Sequence, residues 1–308
     1  MSAKKVILTV GMAAMELSMT YAKTETASIS LLTQPPLTSY GGAGGGQALA
    51  MAKLGCNIPF CALVGEDDNG ENALRYFAQR GVDTRFIQKV KGGHTAVVTS
   101  LKKEGEEEEI LLYGGQTGKI PSSLLEDAFM TLPDGVSLRA ELPFETLLLG
   151  AKLSEQKQIP IFLEANSIRR DFRPEELPPI EILSLSEDAV EQLTGIAIGG
   201  VESSVRAALS LTSSFTAKYF VFRLGARGCF VFDGKIPQHI APYRLAAFDF
   251  SRSGDGFVAA LISTYLENGG QIRGACAAAN AAMALSAAKG QTADPYPSKE
   301  DILQLMSK

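Results

Sequence analysis

The chain has 308 residues, of which 45% are hydrophobic and 20% are charged, and its formal net charge is −5 at pH 7. This length can bury a large core, either as one elaborated α/β domain or as two smaller domains. The acidic balance leaves no basic stripe to neutralise phosphates and argues against a general nucleic-acid binder. No stretch is apolar over the length that a bilayer requires, so we expect no membrane segment.

The first part of the chain predicts a strand followed by helices. Residues 4–10 end in the apolar run Val-Ile-Leu-Thr-Val, which predicts a short buried strand. Residues 44–54 follow a Gly-rich turn and predict a helix of small residues, and residues 69–80 predict an amphipathic helix. These elements are typical of the start of an α/β domain.

The second part of the chain continues this alternation. Residues 160–163 predict a buried strand, and residues 187–193 predict a helix that Gly195 ends. Two apolar strands, 219–222 and 228–232, surround a Gly-rich turn. Strands separated by helices predict a mostly parallel sheet that is covered on both faces.

Two regions interrupt the alternation. Residues 15–40 and 93–113 are rich in Thr, Ser, Val and Leu, with turn residues between them, and they predict antiparallel strands. We expect them to form a β lid over one edge of a core built from residues 1–14, 41–92 and 114–308. Exposed strand edges need cover, which is consistent with a homodimer through the lid.

The four cysteines form no CxxC pair and lie in apolar surroundings, which predicts buried and unreactive thiols. Only two histidines are present, so a histidine-rich metal site is excluded. This cysteine usage favours a cytoplasmic protein.

Residues 249–257 read Asp-Phe-Ser-Arg-Ser-Gly-Asp-Gly-Phe and place a carboxylate at the start of a predicted helix. The N-terminus of a helix offers unpaired N–H groups and partial positive charge, which suit phosphate oxygens. A neighbouring carboxylate, Asp255, could take the proton from an attacking hydroxyl. Alternatively, Asp255 only caps the helix, since this is the commoner use of Asp at such a position.

The order of several further motifs resembles the ribokinase (PfkB) family of small-molecule kinases over nearly the whole chain. The matching segments are the Gly-rich turn and helix at 41–50, Leu54-Gly55, residues 64–70, residues 80–83, the 249–257 stretch and residues 279–290. The resemblance implies a three-layer α/β/α ribokinase-like domain with a mostly parallel sheet and a small β-sheet lid. It also implies a carbohydrate kinase that transfers the γ-phosphoryl group of ATP to a hydroxyl.

The family's catalytic positions fall on the 249–257 stretch. Asp255 would be the general base, and the amides of Ser253, Gly254 and Asp255 would form the anion hole. Mg²⁺ would be bound through the nucleotide, because it usually keeps water and phosphate ligands. Asp249 and Ser251 would lie where ribokinases hold a monovalent cation such as K⁺.

The nucleotide side would include Ser186, Arg223 and Asn280, together with Gly225 and Gly228, where the backbone could pass close to ATP. A plain strand–turn–strand is the alternative interpretation of these two glycines.

The resemblance places a small-molecule substrate among residues that line the acceptor pocket. The predicted acceptor residues are Glu16, Gly41, Gly42, Gln47, Glu141 and Asn166, with Glu164 beside the last. For Glu16 and Glu141, a solvated face is an equally good alternative.

The chain departs from the family pattern at functional positions. Gly46 replaces an Asn of the substrate turn, and Ser186 and Ala189 replace an Asn and a Glu that organise Mg²⁺ and phosphate. Arg223 replaces a Ser or Thr, and Arg252 replaces a Gly, which raises the question of backbone strain. The Arg252 guanidinium either reaches phosphate oxygens or points to solvent.

Two functions follow from these observations. The leading hypothesis is an ATP-dependent kinase for a sugar or sugar-like molecule, with Asp255 as base. The alternative is a kinase-fold protein that binds nucleotide or sugar as a regulator, because the Mg²⁺-organising pair and the anion hole are altered.

Overall fold

A computed structural model describes residues 3–22, 31–103, 108–118, 120–166, 168–246, 252–290 and 292–307. The strands in these ranges are β1 Ile7–Val10, β2 Ala14–Ala22, β3 Leu31–Leu32, β4 Leu37–Gly41, β5 Ile58–Gly65, β6 Val82–Asp83, β7 Ile87–Val90, β8 Ala96–Lys103, β9 Glu108–Tyr113, β10 Gly135–Arg139, β11 Ile161–Glu164, β12 Ile180–Ser186, β13 Ala217–Arg223, β14 Cys229–Phe232 and β15 Pro237–Ile240. The α-helices are α1 Gly42–Lys53, α2 Asp68–Gln79, α3 Ser122–Phe129, α4 Phe144–Gln156, α5 Glu187–Thr194, α6 Val201–Leu211, α7 Ser253–Glu267, α8 Ile272–Lys289 and α9 Lys299–Met306.

The larger sheet has the strand order β15-β14-β13-β12-β11-β10-β1-β5-β6, and β7 also pairs with β5. The adjacent strands β13, β12, β11, β10, β1 and β5 pair in parallel. The pairs β13–β14 and β14–β15 are antiparallel. Because parallel strands require crossovers that cover both faces, their sequences are mainly apolar. Every residue of β1 and β5 is buried. The predicted mostly parallel sheet is confirmed.

Helices cover both faces of this sheet, and each face has its own hydrophobic core. One core packs α1, α7 and α8 on the sheet, and it includes Phe60, Phe77 and Phe257. The other core packs α3, α4, α5 and α6, and it includes Phe129 and Phe144. The result is the three-layer α/β/α arrangement that the resemblance implied.

The second sheet has the order β3-β2-β8-β9, with β4 paired to β2. The prediction of antiparallel strands here was partly wrong, because β2 and β8 pair in parallel from Ala14↔Ala96 to Tyr21↔Lys103. These two strands come from insertions that are far apart in sequence, so no tight turn forces them to run in opposite directions. The division into core and lid segments stays a prediction.

Local sequence signals account for several element ends. The Asp67 carboxylate accepts a hydrogen bond from the Gly70 amide and caps α2, and the Ser186 hydroxyl caps α5. Helix α5 ends at Gly195, whose φ of 70° lies in the left-handed region, as predicted.

All four cysteines are free and buried, which confirms the predicted burial of the thiols. Among the described residues, no helix is long and apolar enough to cross a membrane. The cytoplasmic location stays a prediction.

Candidate active site

A cavity of about 1130 Å³ lies between the carboxyl ends of the parallel strands and the second sheet. Its walls come from the ends of β10 to β13, from the first turns of α1, α5 and α7, and from β2, β8 and β9 of the second sheet. In open parallel sheets, ligands bind at the carboxyl ends of the strands. The cavity therefore has the position of a substrate site.

The N-terminus of α7 lines this cavity with Arg252, Ser253, Gly254 and Asp255. Arg252 precedes the helix with φ −108° and ψ 2°, so its backbone avoids the left-handed region that would favour glycine. The replacement of Gly by Arg is therefore free of backbone strain at this position. Helix α7 keeps its first-turn N–H groups beside the cavity, where they suit an anion.

The Asp255 carboxylate is held by two neighbours. Its Oδ2 accepts a hydrogen bond of 3.3 Å from the Tyr296 hydroxyl, and its Oδ1 lies 3.7 Å from Arg139 Nη1. The side chain is 20% exposed. Asp255 therefore lines the cavity with partners from other elements, which favours the catalytic interpretation over a simple helix cap.

Burial raises the pKa of Asp255 to about 7, although Arg139 and Arg252 act in the opposite direction. Glu164 and Glu16 add to the increase through like-charge repulsion. A carboxylate with a pKa near the working pH can both accept a proton and release it, which suits a general base.

Gly46 leaves the space that the Asp255 carboxylate occupies. A Cβ atom at position 46 would lie 2.1 Å from Asp255 Oδ2 and 2.8 Å from the Tyr296 hydroxyl. A side chain of any size would therefore displace one of these groups.

Glu164 is the centre of a buried polar cluster at the strand ends. Its side chain is 3% exposed and accepts hydrogen bonds from four donors: Gln47 Nε2, Arg139 Nη1, Asn166 Nδ2 and Arg223 Nη1. Burial alone would raise the pKa of Glu164, but Arg139 and Arg223 hold the pKa below its usual value. Glu164 is therefore an ionised anchor for two guanidinium groups.

Two predicted acceptor residues, Gln47 and Asn166, have their amides bonded within the protein. Gln47 donates to Glu164, and its Oε1 accepts from the Ser137 hydroxyl at 2.9 Å. The Asn166 Oδ1 accepts from the Ser186 amide at 2.8 Å. These side chains position their neighbours and offer little to a ligand in this arrangement.

Glu16 and Arg252 form an ion pair between the second sheet and α7, at 2.9 Å between Oε2 and Nη2. Glu16 also accepts from the Gly42 amide at 2.7 Å and from the Ser39 hydroxyl at 3.2 Å. Neither side chain points to solvent, because their exposed fractions are 18% and 19%. The solvated alternatives for Glu16 and Arg252 were therefore wrong. Gly41 lies directly beside this pair.

Glu141 lines the cavity beside Arg139. Its Oε1 accepts from Arg139 Nε, while its Oε2 is buried without a hydrogen-bond partner among the described residues. Burial raises the pKa of Glu141. A buried oxygen without a partner is costly, so a ligand hydroxyl could stabilise it.

The predicted nucleotide residues divide into two groups. Arg223, Ser186 and Gly225 line the cavity, and Gly225 has open space around it. Gly228 instead packs against backbone, since a Cβ there would lie 2.2 Å from the Ile240 carbonyl oxygen.

Asn280 is 1% exposed, and its Nδ2 donates to the carbonyl groups of Ile240 and Ala241 at 3.0 Å. It therefore attaches α8 to the end of β15. This structural use was not predicted.

The predicted cation ligands Asp249 and Ser251 lie outside the described residues. Within the described ranges, no group of three or more His, Cys, Asp or Glu residues could hold a metal ion.

Sequence reasoning missed Arg139 and Tyr296. Arg139 had a usable signal, because a charged residue ends a strand that is otherwise buried and apolar. Tyr296 had none, since it follows α8 in a loop that only the folded chain brings to Asp255.

Comparison with known proteins agrees with this geometry. The profile of the pfkB family carbohydrate kinases matches residues 4–299. The chain belongs to this family. The predicted family, fold and enzyme class, a carbohydrate kinase that acts on an alcohol group, are thereby confirmed.

Two curated relatives and one solved structure illustrate the similarity. The ribokinase of Haemophilus influenzae is 26% identical over 270 residues, which cover 87% of each chain. The deoxyribokinase of Salmonella typhi is 23% identical over 269 residues, again with 87% of each chain covered. The structure of Arabidopsis thaliana ribokinase complexed with ribose and ATP has a TM-score of 0.82 at 22% identity, and the match covers 99% of both chains.

Proposed function

We propose that the protein transfers the γ-phosphoryl group of ATP to a hydroxyl of a sugar or sugar-like small molecule, with Asp255 as general base. The observation that carries this proposal is the convergence of a carboxylate of pKa about 7 and the N-terminus of α7 on one cavity. The same convergence is what phosphoryl transfer to an alcohol requires.

In this mechanism, the acceptor hydroxyl approaches Asp255, which takes its proton as the oxygen attacks the terminal phosphorus of ATP. The bond from this phosphorus to the bridging oxygen breaks, and ADP leaves with that oxygen. The Tyr296 hydroxyl holds the carboxylate through Oδ2, whereas Arg139 lies near Oδ1. The amides of Ser253, Gly254 and Asp255 bind the oxygens of the transferring group at the N-terminus of α7.

ATP enters on the side of Arg223, Ser186 and Gly225, which line the cavity and include a glycine with open space around it. Mg²⁺ would neutralise part of the phosphate charge when bound, and we expect the nucleotide and water to supply its ligands. A K⁺ requirement stays a prediction, because it rests on Asp249 and Ser251.

The acceptor enters between Glu141 and the second sheet. Ribokinase and deoxyribokinase relatives, and a solved ribokinase named with ribose and ATP, support a sugar as the acceptor. The free Glu141 Oε2 offers a hydroxyl-binding atom there.

A regulator that binds nucleotide or sugar without catalysis is the second candidate. One observation favours it: the polar side chains of Gln47 and Asn166 are already bonded within the protein, which reduces the contacts left for a neutral sugar.

The test that separates the two functions is a thermal-shift screen with Mg-ATP and a panel of sugars and nucleosides, followed by an ADP-release assay on each compound that binds. ADP release that depends on one acceptor supports the kinase. Binding of nucleotide and sugar without any ADP release across the panel supports the regulator.

We also infer a homodimer through the second sheet. Ile110, Leu111, Leu112 and Tyr113 of its edge strand β9 are each about half exposed or more. Ile110 and Leu112 line the cavity, so Leu111 and Tyr113 lie on the outer face, because side chains alternate along a strand. Light scattering should give twice the chain mass for the wild type and a monomer for Leu111→Lys.

A further inference from the structure

The Glu164 cluster places two guanidinium groups around one carboxylate. Arg139 and Arg223 are both buried, and each donates to a different oxygen of Glu164. Two positive charges and one negative charge leave the trio with a net charge of +1. Glu141 also contacts Arg139 and brings a second carboxylate to the edge of the trio, and burial raises the pKa of Glu141.

This positive charge lies on both sides of the α7 N-terminus. Arg223 Nη1 is 3.5 Å from the Gly254 carbonyl oxygen, and the strand of Arg223 leads directly to Gly225 on the nucleotide side. Arg139 Nη1 is 3.7 Å from Asp255 Oδ1, and the strand of Arg139 leads to Glu141 on the acceptor side.

The strand register fixes both arginines. Arg139 pairs with Glu164 across β10 and β11, and Arg223 pairs with Ser186 across β12 and β13. Charges held by paired strand ends need little rearrangement when a ligand arrives, which is the condition for strong electrostatic stabilisation.

We propose that Arg223 and Arg139, held by Glu164, form a fixed cationic clamp for the transferring phosphoryl group. Arg223 binds the terminal phosphates of the nucleotide, and Arg139 faces the bond that forms at the acceptor oxygen. This inference rests on the proposed function, and it assigns to Arg139 a role in addition to its contact with Asp255.

The first experiment compares ATP with AMP, because AMP lacks the two phosphates that the clamp would bind. Affinities of the wild type and of Arg223→Thr are measured by calorimetry, with and without Mg²⁺. We expect Arg223→Thr to weaken ATP binding about tenfold or more, since a charge-assisted contact is lost, and to leave AMP binding within about twofold. Arg223→Lys should retain part of the ATP affinity.

Arg169→Gln is the matched control, because Arg169 is an exposed arginine that pairs with Asp171 away from the cavity. It should bind both nucleotides as the wild type does. An equal loss of ATP and AMP affinity in Arg223→Thr, or no loss of either, would overturn the role of Arg223.

The second experiment tests Arg139 through the pH dependence of kcat/KM. Arg139→Gln removes the nearest cation from Asp255, whose carboxylate also faces Glu164, Arg252, Glu16 and Tyr296. We expect kcat to fall about 100-fold. We also expect the acid side of the kcat/KM profile to move to higher pH, because the ionised Asp255 loses the nearby positive charge that stabilises it. An unchanged kcat would overturn the role of Arg139.

These outcomes are distinct from a failure of the proposed function. If the wild type binds ATP and releases ADP but the variants behave like the wild type, only the clamp is wrong. If the wild type itself binds no ATP, the kinase proposal fails first.

Discussion

The cleft contains two acid–arginine arrangements that differ in how the fold holds them. Glu164 lies among the ends of parallel strands and is 3% exposed, whereas Glu16 lies on the second sheet and is 18% exposed. Strand pairing fixes the two arginine partners of Glu164. The partner of Glu16, Arg252, directly precedes α7, so this pair joins the second sheet to a helix that packs on the larger sheet.

This difference in how the two carboxylates are held shows which part of the site the larger sheet fixes by itself. The Glu164 cluster is formed when the larger sheet forms, and it needs no contact from the second sheet. The Glu16–Arg252 pair exists only while the second sheet lies against α7. We therefore expect the first arrangement to support stability and the second to depend on the position of the lid strands.

The largest expected effect comes from Asp255, which lies between the two arrangements. Asp255→Asn should lower kcat for ADP release by about 100-fold or more, which is the usual contribution of a general base. ATP affinity, measured in parallel by calorimetry, should stay within about threefold of the wild type. Full turnover in the Asn variant would show that another group takes the proton.

The next largest effect, on the free energy of unfolding, distinguishes the Glu164 cluster from the Glu16–Arg252 pair. Glu164→Gln should lower the free energy of unfolding by about 3–5 kcal/mol, because it leaves two buried guanidinium groups without their shared carboxylate. Glu16→Gln should lower it by about 1–2 kcal/mol, since hydrogen bonds of a partly exposed group are lost. Urea denaturation measures both values. Equal losses would contradict the distinction drawn between the two arrangements.

A smaller effect is expected at Gly46, where a methyl group would meet the Asp255 carboxylate. Gly46→Ala should lower the free energy of unfolding by about 1–3 kcal/mol, as overpacked sites do. It should also lower kcat about tenfold through displacement of the base. The control is Gly199→Ala, because Gly199 has open space and no left-handed backbone. If both Ala variants retain wild-type turnover, residue 46 does not constrain the acid.

The sequence predicted the fold well because its signals are local. Apolar strands such as β5 and amphipathic helices such as α2 repeat with the periods of their structures, and Gly195 ends α5 as its backbone freedom allows. The parallel pairing of β2 and β8 was missed, since no local signal fixes how two distant insertions pair.

The sequence predicted the position of Asp255 in the site, but it predicted few of the contacts between the site residues. Asp255 stands in a motif at the start of a helix, so its position follows from local sequence. The contacts of Arg252 with Glu16, and of Tyr296 with Asp255, join residues that are more than 40 positions apart or on separate sheets. Such pairs follow from tertiary packing, and the sequence alone left the direction of Arg252 open.

The most direct test of the central claim is the pH dependence of kcat/KM in the wild type with its best acceptor. This quantity reports the ionisation of groups in the free enzyme. Because burial raises the pKa of Asp255 to about 7, the base is ionised above that pH and protonated below it. We predict that kcat/KM rises about tenfold per pH unit below pH 7 and reaches a plateau above it. A profile that is flat between about pH 5 and pH 8 would contradict the assignment of Asp255 as the base.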